Sequence, residues 1–92
     1  MNLVKLIEQL EEFDDSMTIY AEKPWSPNSK ALVEYEPETG SLPENAKAHK
    51  LSYFLEVFIA RDFLNDWIAS QNATPSLEAQ CKRLISYALN DA

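Results

Sequence analysis

The sequence has few of the residues on which several kinds of functional site depend. It contains one glycine, one cysteine and one histidine, which are Gly40, Cys81 and His49. A single glycine excludes the glycine-rich phosphate loops of nucleotide-binding proteins. A single cysteine excludes an internal disulfide and any cysteine zinc cluster. A calcium loop, with its spaced oxygen ligands and central glycine, is also missing from the pattern. We therefore expect no metal and no cofactor.

The two residues most often used as nucleophile or base occur without a recognisable partner. His49 follows a loop and lies between lysines at positions 47 and 50, without a motif that supplies the orienting group of a general base. Cys81 falls on the apolar stripe of the last predicted helix, where a cysteine behaves as an inert small hydrophobe. These observations predict that the protein is not an enzyme.

The chain also lacks an uncharged apolar run long enough to span a membrane. Its N-terminus, MNLVKLIEQLEEF, carries acidic residues where a signal peptide carries basic ones. We therefore expect no membrane association and a cytoplasmic location.

Basic residues are scarce and unevenly placed. Eight Lys and Arg stand against 15 Asp and Glu, which gives a net charge of −7. Residues 1–44 hold ten acids and three bases, whereas residues 45–92 hold five of each. Direct nucleic-acid binding is not expected, because phosphate contacts require clustered Lys and Arg. A basic protein partner is the electrostatic complement of the first half, although solubility alone would also explain an acidic surface.

Apolar periodicity predicts one α+β domain over residues 1–92. Helices are predicted over residues 2–13 and from Pro75 to near the C-terminus, and strands over residues 17–22 and 30–36. Asn2 and Thr74 are the predicted N-caps of the two helices. We expect a small antiparallel hairpin or sheet that is covered on one face by three helices, in the order α-β-β-α-α.

The third predicted helix is the stretch LSYFLEVFIARDFLNDWI, residues 51–68, which is the densest apolar segment. Its 18 residues contain neither Gly nor Pro, which favours one continuous helix. The alternative is a strand over residues 51–59, rich in aromatic and β-branched residues, followed by a helix that begins near Asp62. A helical turn over residues 46–50 is predicted to precede it.

Seven residues are candidates for contact with a partner. The first predicted helix ends in a group of carboxylates, where the helix dipole is also negative, and such a group is suited to a cation or a basic partner. The second strand places two acids on one face, and a tryptophan between two prolines either packs on the core or anchors an interface. The candidates are Glu11, Glu12, Asp14, Asp15, Trp25, Glu34 and Glu36.

In its small size, acidic first half and absence of catalytic motifs, the chain resembles bacterial immunity proteins. These cognate inhibitors bind and neutralise a toxin domain, such as a nuclease, of contact-dependent or other polymorphic toxin systems. The segments EKPWSPNSKALV and YFLEVFIARDFLNDW are also similar to an uncharacterised family of small bacterial proteins, a likeness that implies no mechanism. Because immunity proteins share no sequence motif, the resemblance assigns no residue a role.

The resemblance implies a non-enzymatic protein that neutralises a basic toxin domain through its acidic surface. The alternative is a structural or adaptor subunit, which would form a homodimer or larger assembly through an apolar surface around Phe54 and Phe58.

Overall fold

A three-stranded antiparallel sheet forms the centre of the fold in a computed structural model that describes residues 1–91. Strand β1 (Thr18–Ala21) lies in the middle, with β2 (Ala31–Glu34) on one side and β3 (Ser52–Glu56) on the other. Thr18 is opposite Glu34 in β2 and opposite Glu56 in β3. The third strand gives the hairpin the extra pairing that an isolated two-stranded hairpin needs for stability in water.

Within the described residues, four α-helices and one 3-10 helix surround this sheet. They are α1 (Leu3–Glu8), the 3-10 helix (Leu10–Glu12), α2 (Glu44–Ala48), α3 (Val57–Ala69) and α4 (Leu77–Asn90). Helix α1 packs against α4 and β2, and α3 packs against α4. The predicted α+β class is confirmed, and the predicted order gains one strand and one short helix. No helix within residues 1–91 is both long enough and apolar enough to cross a membrane.

The prediction of one helix over residues 51–68 is wrong. The segment is divided at Glu56, where β3 ends and α3 begins with Val57. The alternative of a strand followed by a helix is correct in kind, but the helix begins five residues before Asp62. Tertiary pairing decides the difference, because Ser52–Glu56 completes the backbone hydrogen bonding of β1. The pattern of side chains alone does not contain that information.

Helix boundaries also differ from the predicted ones. Asn2 is the N-cap of α1 as predicted, and its side chain accepts a hydrogen bond from the Lys5 amide at 3.0 Å. The α-helix ends at Glu8 rather than near Phe13, and its last turn is replaced by the 3-10 helix. The N-cap of α4 is Ser76, whose hydroxyl accepts a hydrogen bond from the Ala79 amide. The prediction of Thr74 as this N-cap is therefore wrong. The predicted turn at residues 46–50 begins two residues earlier, at Glu44.

The two faces of the sheet are both covered, but unequally. The first face, with Ile19 and Ala21, packs on the main core formed with α1, α3 and α4. The second face carries Tyr20, which is covered by a smaller cluster that includes Ala46 of α2 and Leu51. A register shift next to Tyr20 allows Phe54 and Leu55 of β3 both to join the main core. Three helices therefore cover one face as predicted, and α2 covers part of the other.

Candidate functional site: an acidic ridge between two grooves

The four carboxylates predicted at the end of the first helix form an exposed ridge. We use "acidic ridge" for Glu11, Glu12, Asp14 and Asp15, which lie on the 3-10 helix and on the turn that leads to β1. All four residues are exposed. Because the chain leaves the α-helical conformation at Gln9, these side chains do not lie along one helical stripe. On one side the ridge contacts Arg61 of α3, and on the other side it contacts Tyr35, which follows β2.

Arg61 on α3 anchors one side of the acidic ridge. Its side chain is only 17% exposed, and its guanidinium forms ion pairs with Asp15 and, at 3.5 Å between Nε and Oε2, with Glu11. The same guanidinium donates hydrogen bonds to the backbone carbonyls of Phe13 and, at 2.8 Å, of Leu10. The cation that the sequence pattern led us to expect from a partner is thus supplied in part by the chain itself.

The role of Arg61 was missed because the helical pattern places it on the water-facing side of α3. One signal was available: Arg61 is the only Lys or Arg between Lys50 and Lys82. A lone guanidinium in an otherwise acidic and apolar segment is suited to tying carbonyls and carboxylates together, since it presents several donors in a fixed geometry.

Asp14 is held on the other side of the acidic ridge. Its carboxylate accepts hydrogen bonds from the Ser16 amide and hydroxyl, both at 2.9 Å, and from the Tyr35 hydroxyl at 3.0 Å. The Ser16 hydrogen bonds, followed by that from Tyr35, hold the pKa of Asp14 below its usual value. Asp14 therefore stays charged, and Tyr35 connects the ridge to the end of β2.

A groove of about 490 Å³ lies beside the end of β2, next to Tyr35. We call it the β2 groove. Apolar side chains form much of its wall, and carboxylates lie at its rim. Its lining residues are Met17, Val33, Glu34, Tyr35, Pro37, Pro43, Glu44 and Asn45. Asn45 donates to Oε1 of Glu34 at 3.0 Å, which fixes the orientation of that carboxylate.

A second groove of about 390 Å³ lies on the Arg61 side of the ridge, between α1, α3 and the start of α4. Its floor includes Ile7, Leu64 and Leu77, and Glu8 and Glu11 lie at its rim. Both carboxylates are already paired, Glu8 with Lys5 and Glu11 with Arg61. The β2 groove therefore has the less neutralised rim of the two.

The second face of the sheet extends the acidic end beyond the β2 groove. The strand register aligns Glu34, Thr18 and Glu56 across the sheet on this face. The next row includes Tyr20, which is 1% exposed. Within residues 1–91 its hydroxyl makes no hydrogen bond of normal geometry, although the Thr18 side chain lies close enough to lower its pKa. Burial, followed by the charge of Glu36, raises the pKa of Tyr20, so its phenol is neutral in the physiological range.

Trp25 lies away from the acidic ridge. Its indole donates to the Ala21 carbonyl at 3.2 Å, at the opposite end of β1 from the ridge, and its ring meets Phe54 edge-on at 4.8 Å. A four-residue strand separates the two ends by roughly 10 Å. Of the two readings of Trp25, packing on the core is the one that these contacts support, and the seven predicted residues do not form one patch.

The groups considered for catalysis lie elsewhere. Cys81 is buried in the main core, and burial raises the pKa of its thiol to about 11, so the reactive thiolate is scarce at neutral pH. His49 is exposed at the end of α2. In the part of the chain that the structure describes, no group of three or more His, Cys, Asp or Glu residues is arranged to hold a metal ion.

Comparison with protein-family models, curated proteins and solved structures gave no match. The functional interpretation of the acidic ridge and its grooves therefore depends on their geometry and charge.

Proposed function

We propose that this chain is a non-enzymatic binding protein of the immunity class, which neutralises a basic toxin domain with nuclease activity. The observation that supports this proposal most strongly is a set of acids at one end of the sheet that form no ion pair within residues 1–91. Among the ion pairs of residues 1–91, none includes Glu12, Asp14, Glu34 or Glu36. An uncompensated acidic surface attracts a basic partner and speeds its association.

The acidic ridge is also held in place before any partner arrives. Arg61 ties the backbone of the 3-10 helix to α3, Tyr35 holds Asp14, and Asn45 holds Glu34. Carboxylates that are already oriented lose less conformational freedom on binding, which favours affinity. A nuclease must bind phosphate and is therefore basic at its active site. Fixed carboxylates of this kind would compete there with the substrate by resembling its charge.

The test compares two charge-reversed proteins. Glu34→Lys with Glu36→Lys reverses charge at the acidic end, whereas Glu22→Lys with Asp91→Lys makes the same change of charge elsewhere, just after β1 and at the C-terminal end of α4. Basic proteins that the unmodified chain retains from the source lysate, at low and at roughly physiological salt, are identified by mass spectrometry and assayed for nuclease activity.

The first variant is expected to slow association with the retained protein by about tenfold or more and to weaken its salt dependence, because steering by charge is lost. The second variant is expected to associate nearly as fast as the unmodified chain. Thermal unfolding of both variants checks that the fold is intact. Equal association rates for the two variants would reject the acidic end as the binding surface.

The second candidate function is a structural subunit that associates with copies of itself, and one part of that hypothesis needs correction. Phe54 is 2% exposed and belongs to the main core, so it is not part of a surface. Phe58 and Tyr53 are 46% and 44% exposed, and β3 lies at an edge of the sheet. These three features are the observations that favour self-association.

A further inference from the structure

The β2 groove has the features of a site for one long cationic side chain. Met17, Val33, Pro37 and Pro43 supply apolar surface, and a volume of about 490 Å³ is ample for one side chain. The aliphatic part of a lysine or arginine favours such surface, while its charged end stays near water. At the rim, Glu34 uses one carboxylate oxygen for Asn45 and keeps the other for a ligand.

Tyr35 distinguishes arginine from lysine. Tyr35 is 57% exposed and lines the groove. Because its hydroxyl donates to Asp14, its aromatic ring is held at the side of the groove. A planar guanidinium can stack on this aromatic face while one of its N–H groups donates to the free oxygen of Glu34, whereas an ammonium has no planar face to stack.

The surroundings of Glu34 include a buried phenol. Tyr20 is almost completely buried on the same face of the sheet, in the row next to Glu34, and within the described residues the Thr18 side chain lies close enough to lower its pKa without a hydrogen bond of normal geometry. Glu36 and Glu34 lie close enough to this phenol for both charges to raise its pKa. Within residues 1–91 neither Glu34 nor Glu36 forms an ion pair, so both charges stay available to an incoming cation.

We infer that the β2 groove is an arginine subsite, in which the aliphatic stem of a partner's arginine lies against Met17 and Val33 and its guanidinium binds Glu34 and stacks on Tyr35. Among the ion pairs of residues 1–91, the one at this rim joins Glu44 and Lys47 at 3.9 Å on the surface, and an exposed pair at that distance is weak. The groove thus keeps a negative rim for the incoming guanidinium. This inference rests on the proposed function and specifies which partner side chain the acidic end receives.

The test uses small probes rather than the unidentified partner. N-acetylarginine methylamide is titrated into the full chain, and the NMR signals of the Glu34 carboxyl group and of the Tyr35 and Tyr20 rings are followed. The lysine analogue and the citrulline analogue, which is close in shape to arginine but uncharged, are titrated in parallel. The arginine probe is expected to shift these signals saturably with a dissociation constant on the order of millimolar, the lysine probe to bind more weakly, and the citrulline probe not to saturate.

Four variants make the test specific. Glu34→Gln can still accept from Asn45 but carries no charge, and we expect about threefold to fivefold weaker binding of arginine. Tyr35→Leu removes the ring and is expected to weaken binding about twofold to fivefold, whereas Tyr35→Phe keeps the ring, loses only its hydrogen bond to Asp14, and is expected to weaken binding less than Tyr35→Leu. Glu22→Gln at the far end is the control for the loss of one negative charge.

Two results would overturn the subsite: equal shifts with arginine and citrulline, or equal weakening by Glu34→Gln and Glu22→Gln.

The experiments distinguish failure of the subsite from failure of the proposed function. If the Glu34 and Glu36 reversal abolishes capture of a basic protein but the probe does not bind, the function stands without this subsite. If the probe binds but no basic protein is retained, the groove recognises arginine and the proposed function fails.

Discussion

At the scale of single residues, Arg61 is the side chain with the most consequences for the site. It forms ion pairs with two of the four ridge carboxylates and donates to two backbone carbonyls, Leu10 in the 3-10 helix and Phe13 just after it. The spacing of apolar residues identified the surface of α3 on which Arg61 lies, but not its reach across to another element. A pattern along one helix reports which way a side chain points and not what stands opposite it.

Replacement of Arg61 by methionine should destabilise the fold. The change leaves the Phe13 carbonyl without its Arg61 donor, leaves the Leu10 carbonyl with only the long hydrogen bond from the Phe13 amide at 3.4 Å, and removes the cation beside the carboxylates. We expect a loss of about 2–4 kcal/mol in the free energy of unfolding. Arg61→Lys keeps the charge but not the set of donors, so its loss should be intermediate.

Urea unfolding measures both Arg61 variants. The control is Lys82→Met, which removes an exposed pair with Glu78 and should cost about 0.5 kcal/mol or less. If Arg61→Met proves as stable as this control, Arg61 does not hold the ridge.

Cys81 makes stability sensitive to alkaline pH. Because burial raises the pKa of its thiol from 9.0 to about 11, the folded state favours the protonated form. The stabilisation is complete below pH 9 and is lost as the pH rises toward 11, with a decrease of about 1 kcal/mol between pH 8 and pH 10. Tyr20 and Tyr53, whose pKa values are also raised, add to the decrease only above about pH 10.

Cys81→Ala is the variant that isolates this effect. Its free energy of unfolding, measured in urea with reductant present, should be lower at neutral pH because a buried atom is lost, yet it should fall less between pH 8 and pH 10. The same pH dependence in both proteins would show that the Cys81 thiol does not contribute.

At the scale of elements, the division of residues 51–68 shows where reasoning from sequence stops. Apolar residues on several sides of the predicted helix were already inconsistent with a simple amphipathic helix, and that excess corresponds to β3 and the start of α3. The strand exists because β1 offers an unpaired edge opposite β2, a contact between residues more than 30 positions apart in the chain. Local propensity is a weak guide when such a partner is available.

The early end of α1 has a similar tertiary cause. The apolar stripe continues through Leu10 to Phe13, so the pattern alone predicts one helix as far as Phe13. In the folded chain, Leu10 is buried in the core while the carbonyls of Leu10 and Phe13 accept from Arg61. The 3-10 conformation allows both the burial of Leu10 and the hydrogen bonds from Arg61. It also sets the positions of the carboxylates in the acidic ridge.

At the scale of the whole molecule, charge and surface together argue against strong self-association. Two copies joined through the free edge of β3 would bring together two chains that each carry −7, and Glu56 lies at the end of that strand. With Phe54 in the core, Phe58 and Tyr53 leave little exposed apolar area for a permanent dimer, whose interface is large and hydrophobic.

We therefore expect light scattering to give the mass of a monomer over a wide range of protein concentration. Phe58→Ser, a substitution at an exposed position in the first turn of α3, should leave that mass unchanged. A dimer whose mass does not depend on concentration, and which Phe58→Ser converts to a monomer, would favour the structural-subunit hypothesis instead.

The sequence by itself determined the α+β class, the N-cap at Asn2, the hairpin of β1 and β2, and the acidic character of the first half. These features depend on composition and on periodicity over a few residues, which are properties of the chain at short range. The tertiary structure alone decided that β3 exists, that Arg61 and Tyr35 fix the acidic ridge, and that Trp25 lies at the far end of β1. Each of these depends on which residues, distant in sequence, meet when the core closes, and no local pattern encodes that meeting.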